Sequence, residues 1–454
     1  MPNFVFGHSS ETALRWTSAV PKKMHLGWFM NYAPPQWMDP FDRVNPSWTN
    51  ADFHIEMAKM LEGACFDYLM IEDTLMVSDA FGGSTEATLK HALQVPKLDA
   101  TVLAGAVAKA TTRLGVIATA SILSYPPFTL ARLIASLDHL SDGRFGWNIV
   151  TSGEEQAAHN VGLDTLPPRQ QRYDMADEFV DVVSKLLASW DEDAVVMDRE
   201  TGTFVDYTKV HEVNYVGKHY RSRGPLNVPR SPQGRPVYLQ AGGSPRGRQF
   251  AAETADSIVA IAQGIEGMID YRNDIRGRAE AAGRNPDDIK VMFLVTPVLG
   301  DTAADAENKR FKMVNTDAFI TNQLGMISTV TDIDFAKFPL DEVLPPLTTN
   351  GESGSLTKFT QEGSGKTLRQ LATADTGFAS CLTLVGTPAH VAAEMADALD
   401  AVGGDGFLLT TPVQHLSRRY VTDITEGLIP ALRDLGRVRE SYEYSTLREN
   451  LLAF

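Results

Sequence analysis

With two cysteines, ten histidines and no clustered basic run, this 454-residue chain has little of what metal and nucleic-acid sites are made from. Cys65 and Cys381 stand far apart, with no His or Cys at ligand spacing beside them, so neither a disulfide framework nor a metal site is indicated. The 41 basic residues are outnumbered by 57 acidic ones, giving a formal charge of −16, and they form no patch of the kind a nucleic acid needs. The same balance disfavours anionic membranes. No apolar run approaches the roughly 18 residues of a membrane span. The opening MPNFVFGHSSETALRW lacks the basic-then-apolar order of a secretion signal. These absences predict a cytoplasmic protein acting on a small molecule, without nucleic-acid or membrane partners.

What the chain has is alternation. Near-continuous apolar runs at 24–30, 66–72, 114–121, 145–151, 236–240, 256–262, 289–299 and 406–411 read as buried parallel strands. Helical periodicity lies between them: Leu130, Leu133, Ile134, Leu137 and Leu140 share a face, as do Phe179, Val182, Val183, Leu186, Leu187 and Trp190. Eight repeats predict an α/β fold, a (β/α)8 TIM barrel spanning 1–454 as one domain, with an open doubly wound sheet as the alternative. Two insertions interrupt it. Residues 153–230, after strand four, hold an extra helix and a hairpin at 210–220. Residues 313–365, after strand seven, are rich in Thr, Gly, Pro and Asn and read as an irregular, mobile lid.

The most informative stretch is RGPLNVPRSPQGRPVYLQAGGSPRGR, 223–248. A short strand runs into Gly242-Gly243-Ser244 and then a helix, placing free N–H groups, a hydroxyl and either Arg246 or Arg248 where a phosphate would sit. Ligands of such barrels lie at the strand tips. Here the tips carry Glu72, Asp73, Thr119, Ser121, Asn148, Thr151, Ser152, Ser244, Thr410 and Thr411, a mainly neutral set suited to holding a cofactor that does the chemistry. Several of these side chains would serve equally as strand-end caps or barrel packing.

The strings YPPFTLARLIASLDHLSDGRFGWNIVTS (125–152), RYDMADEF (172–179), LQAGGSPRGR (239–248) and DGFLLTTP (405–412) resemble the bacterial-luciferase-like flavin monooxygenases. The branch they resemble contains the nitrilotriacetate, EDTA and dibenzothiophene-sulfone enzymes. The resemblance implies a TIM barrel binding FMN as FMNH2, supplied by a separate NAD(P)H-dependent flavin reductase, with O2 giving a flavin peroxide that oxygenates substrate. It also implies a homodimer or homotetramer, for which Trp190 and 194–222 are candidate contacts. By the same likeness, Asp73, Thr119 or Ser121, Thr151, Tyr173, Gly243 and Ser244 would hold the flavin. Asn148 and Ser152 would face its ring, and Trp37 would wall the active site. Arg169 stands where relatives carry His and is expected to bind the phosphate. The first loop and the lid near 320 lack the histidines of the desulfurising branch.

The first loop is apolar and aromatic, with Trp28, Phe29, Tyr32 and Met38 as candidate substrate contacts. A polycarboxylate would need cations there to offset its desolvation. The expected substrate is therefore a neutral, aromatic organosulfur or halogenated compound, cleaved at a C–S or carbon–halogen bond. The alternatives are an aminopolycarboxylate oxygenase cleaving C–N bonds and a deazaflavin-dependent oxidoreductase.

Overall fold

The computed structural model describes residues 21–31, 49–361, 365–374, 380–412 and 417–454. Each of the eight apolar runs supplies one barrel strand: β1 (His25–Met30), β2 (Tyr68–Ile71), β3 (Gly115–Ser121), β4 (Phe145–Val150), β5 (Val237–Gln240), β6 (Ser257–Ala260), β7 (Lys290–Val295) and β8 (Gly406–Leu409). Neighbours in the chain pair in parallel, and β8 closes on β1 through His25 opposite Gly406. Around them lie α1 (Asp52–Gly63), α2 (Ala100–Ala110), α3 (Pro127–Leu140), α4 (Arg169–Leu187), α5 (Pro245–Thr254), α6 (Gly264–Ala281) and α7 (Pro388–Val402), with a helical run from Arg418 to Asp434 after β8.

Both strand faces are apolar because both are covered. Leu26, Trp28, Met30, Trp147, Ile149, Phe293 and Phe407 point outward into the helical layer. Tyr68, Met70, Ile117, Leu239, Met292 and Leu408 fill the barrel, and Leu447 and Leu451 of the C-terminal helix Leu447–Leu451 pack among them. Gly27 faces inward, and a Cβ there would stand 2.6 Å from Leu408 Cδ1 and 2.7 Å from the Tyr68 ring. The amino end of the barrel is tied by Asp67, which accepts from Arg439 at 2.5 Å and Leu26 N at 2.8 Å and pairs with His25 Nδ1 at 3.0 Å. His25 is thus a satisfied core histidine. Arg144 also stays at this end, donating to the Ala108 and Leu114 carbonyls.

Four details differ from the sequence expectations. The run 289–299 divides: Val298–Leu299 leaves the barrel and pairs with Val385–Gly386. The hairpin expected at 210–220 forms between Tyr215–Val216 and Arg221–Ser222, and an additional one pairs Val195–Asp198 with Thr203–Val205. Leu140, at the last position of α3, turns to solvent. The composition of 313–365 suggested irregular chain, yet Asp317–Thr331 is a 15-residue helix capped by Thr316, and Ser353–Gln361 is a second. Ile320, Leu324 and Ile327 of the first helix pack on Phe335, Leu356 and Phe359, giving this lid its own small core. Among the described residues no helix is long and apolar enough to cross a membrane.

The lid lies over the carboxyl ends of the strands. Asp334 accepts from Gly82 N at 2.7 Å in the loop after β2. Glu352 approaches Gly153 after β4, and Gly354 approaches Gly243 after β5.

Candidate active site

The turn between β5 and α5 has the form of an anion cradle. Ser244 caps α5, its Oγ accepting from Gly247 N at 3.1 Å, and Pro245 takes the first helical position, where no N–H is missed. Gly242 is forced by close approach: a Cβ would lie 2.4 Å from the Gly247 carbonyl oxygen. The Gly242 carbonyl in turn accepts from Tyr271 Oη at 2.6 Å. Gly243 is exposed, and its side is open to 3.5 Å from Gly354. The Tyr173 hydroxyl stands against Gly247, within reach of Gln240 and Ser244; burial raises its pKa, so it remains a neutral donor. Gln240 Oε1 is buried without a partner. N–H groups, two hydroxyls and a helix N-terminus converge here, which fits a phosphate monoester. The two arginines offered by the sequence are turned elsewhere: Arg246 pairs with Asp177, and Arg248 with Asp274 at 3.1 Å.

The wall from β2 to β4 is polar and neutral. Asn148 Nδ2 donates to Thr119 Oγ1 at 2.9 Å, and Thr119 Oγ1 donates to the Ile71 carbonyl at 2.9 Å. That chain fixes the Asn148 amide and leaves its buried Oδ1 unpaired. Ser121 and Ser152 share a hydrogen bond of 2.8 Å. Ser152 makes it from a left-handed backbone, φ +55°, which costs an L-residue about 1 kcal/mol and aims the hydroxyl back over β3. Thr151 is half-buried beside it. Asp73 lies at the exit of β2, its carboxyl pushed up to about 7 by burial, with Lys97 opposing and Glu72 and Asp99 adding to the shift. Lys97 itself is held by Glu72 at 2.6 Å. Thr74 Oγ1 is a further buried, unpartnered atom. Unpaired buried polar atoms are rare, and Asn148 Oδ1 and Thr74 Oγ1 could take up the polar edge of a planar ring system. An FMN-like group fits the donor set: phosphate at β5–α5, ring at β2–β4.

Other expectations need correction or lie elsewhere. Arg169 donates to the Thr349 and Gly351 carbonyls of the lid, so its guanidinium serves as a latch rather than facing the cradle alone. Trp28 is 1% exposed and packs outward against Phe66 and Tyr420, in the helical layer and not in the mouth. Phe29 points inward and is partly buried. Tyr32, Trp37 and Met38 lie outside the described residues. The sequence reading passed over Thr74, Gln240 and Glu352. Thr74 follows Asp73, and Gln240 lies inside LQAGGSPRGR (239–248), which was the available signal. Glu352 keeps contact with solvent, yet the surrounding chain and Glu154 push its carboxyl up to about 7.

The comparisons with known proteins agree with the fold. The family model described as luciferase-like monooxygenase matches residues 24–406. The dimethyl-sulfide monooxygenase of Hyphomicrobium sulfonivorans is 38% identical over 425 residues, covering 92% of this chain and 86% of that protein. The dibenzothiophene-sulfone monooxygenase of Rhodococcus erythropolis (strain XP) is 34% identical over 443 residues, covering 95% and 96%. A crystal structure of a riboflavin lyase with modified FMN and substrate riboflavin superposes with a TM-score of 0.84 at 31% identity, covering 95% of this chain and 96% of that one. With its closed parallel barrel and these matches along nearly its whole length, the chain belongs to the luciferase-like monooxygenase family.

Proposed function

We propose that the protein is the oxygenase component of an FMNH2-dependent two-component system acting on a small apolar organosulfur or halogenated compound. Reduced FMN, when bound, supplies the electrons with which O2 is activated and one oxygen atom is passed to the substrate. The residues of this chain bind, orient and shield. The Gly242–Ser244 turn and Tyr173 hold the phosphate; Asn148, Thr119 and the Ser121–Ser152 pair present neutral partners to the ring. Asp73 holds a proton at its carboxyl near neutral pH. The segment 349–354, latched by Arg169, keeps water from the strand tips. The observation that carries the reading is the pairing of an open Gly243 cradle with the unpartnered Asn148 Oδ1 and Gln240 Oε1 at the same end of the barrel.

A neutral substrate suits the charges around the mouth. Lys97 is bound to Glu72, and Arg169 and Arg172 donate to backbone carbonyls, while Asp73, Glu154 and Glu352 add carboxyls. A polycarboxylate would have to draw these cations away from the partners they already hold. The compounds that name the two sequence relatives, dimethyl sulfide and dibenzothiophene sulfone, favour C–S cleavage over carbon–halogen cleavage. A separate flavin reductase, a homodimer or homotetramer, and a cytoplasmic location complete the reading. The exposed Met197, Phe204 and Val216 of the two hairpins, with Tyr207 of the turn between them, are the candidate subunit contacts. The test combines the protein with FMN, NADH and a flavin reductase under labelled O2, against aromatic sulfones, sulfides and halides. Incorporation of one labelled oxygen is expected. Flavin binding without product, or turnover confined to aminopolycarboxylates, overturns the proposal.

A further inference from the structure

Segment 351–354 of the lid crosses from one strand tip to the next. At the exit of β4, a Cβ on Gly153 would meet Gly351 Cα and Glu352 Cγ at 3.9 Å each. At the exit of β5, a Cβ on Gly243 would stand 3.5 Å from Gly354 Cα. Since β4 and β5 are paired neighbours, the segment bridges the ring wall, which ends at Ser152, and the Gly242–Ser244 cradle. Its backbone is fixed: Glu352 N donates to the Val330 carbonyl at 2.8 Å, and Arg169 donates to the Gly351 carbonyl. The Glu352 carboxyl accepts from Ser355 Oγ at 2.8 Å through Oε2, and among the described residues no hydrogen bond reaches Oε1. Surrounding chain crowds this carboxyl and, with Glu154, pushes it up to about 7, yet the residue stays exposed. Gly243 opposite is exposed as well. Crowded and still open to water describes a group that lines a cleft between lid and barrel, not the outer surface.

We propose that Glu352 is a flavin-positioning residue that hydrogen-bonds the ribityl hydroxyls, so that the lid closes on the middle of the cofactor. This rests on the FMN reading above and assigns the stretch between its ring and its phosphate. With the ring at β2–β4 and the phosphate at β5–α5, the ribityl chain must pass the exits of β4 and β5. Its hydroxyls are uncharged, and each needs a partner once water is excluded. The barrel supplies few there. Gly153, Ala241 and Gly243 have no polar side chains, and Glu154 turns back to accept from Gly153 N at 2.9 Å. The polar group at this gap comes from the lid. Ionised, Glu352 offers an acceptor to the hydroxyls; protonated, it can also donate.

The probes are FMN and the flavin in which an unsubstituted pentyl chain joins the same ring and phosphate, each titrated into flavin-free protein by fluorescence. The wild type is expected to bind FMN roughly tenfold more tightly than the pentyl flavin. Glu352→Ala should shrink that preference severalfold, while Glu352→Gln, which keeps an acceptor and adds a donor, should retain most of it. A second measurement needs no variant: FMN should slow limited proteolysis between 340 and 361 severalfold more than the pentyl flavin does at equal saturation. Equal affinity of the wild type for the two flavins, equal protection of its lid by both, or an undiminished preference in Glu352→Ala overturns the inference and leaves Glu352 as a cap of the lid helix. The outcomes are separable. A wild type that binds no FMN sinks the oxygenase reading itself, whereas intact FMN binding that ignores the ribityl hydroxyls sinks only the role of Glu352.

Discussion

Replacing Gly242 by alanine tests the cradle where the structure leaves least room. The new Cβ would meet the Gly247 carbonyl at 2.4 Å for its oxygen and 2.5 Å for its carbon. Both are backbone atoms in the first turn of α5, so no side chain can rotate away. The methyl is at least about 0.6 Å too close, and either the end of β5 or the start of α5 must move. Overpacking of this kind costs about 1–3 kcal/mol. If that strain is relieved by displacing the N–H groups of the turn, FMN affinity falls about tenfold to a hundredfold, at about 1.4 kcal/mol per decade. Gly243→Ala is the control, since its Cβ would come no nearer than 3.5 Å to Gly354. Its fold should tolerate the methyl within about 0.5 kcal/mol. The assays are urea unfolding and quenching of FMN fluorescence on titration. A folded Gly242→Ala protein that binds FMN as tightly as the wild type would refute the placement of the phosphate at this turn.

Three further outcomes follow from the geometry. Ser244→Ala removes the cap of α5 and should cost about 1 kcal/mol in urea unfolding; no loss would mean the cap is replaced locally. Asp73 carries a pKa pushed up to about 7 from an ordinary 3.8. The folded chain thus keeps a proton there that the unfolded chain has lost, so stability declines from about pH 4 to about pH 7 and is level above. Asp73→Asn should remove about 2 kcal/mol of that decline, an amount reduced for the partial exposure of the carboxyl; an unchanged pH profile of unfolding contradicts it. Arg169→Ala frees the Thr349 and Gly351 carbonyls and should speed limited proteolysis between 340 and 361 severalfold, while retained protection would show that other contacts hold the lid.

The barrel was legible because a strand buried on both faces must be apolar along its whole length, and eight such runs leave few alternatives. What that pattern cannot give is the side to which each residue points. Trp28 and Phe29 look alike in sequence, yet the register of β1 sends the first into the helical layer and the second into the barrel. The cradle was visible through Gly242, Gly243 and Ser244, whose conformational needs are local. Arg169, Arg246 and Arg248 were harder: a long side chain takes the partner that tertiary structure offers, here lid carbonyls, Asp177 and Asp274. The lid helix was hidden by its Thr, Gly and Asn content, although Thr316 followed by Ile320, Leu324 and Ile327 carries a cap and a helical spacing. The lid's contacts with Gly153 and Gly243 depend on packing between distant segments, which no local spacing encodes.

The most direct measurement titrates the protein with FMN and, separately, with riboflavin, which has the same ring and no phosphate. A saturable FMN complex at least roughly tenfold tighter than that of riboflavin is the expected result, because charge-assisted bonds at the β5–α5 turn act on the phosphate alone. Equal affinities, or no saturable complex with either flavin, would contradict it.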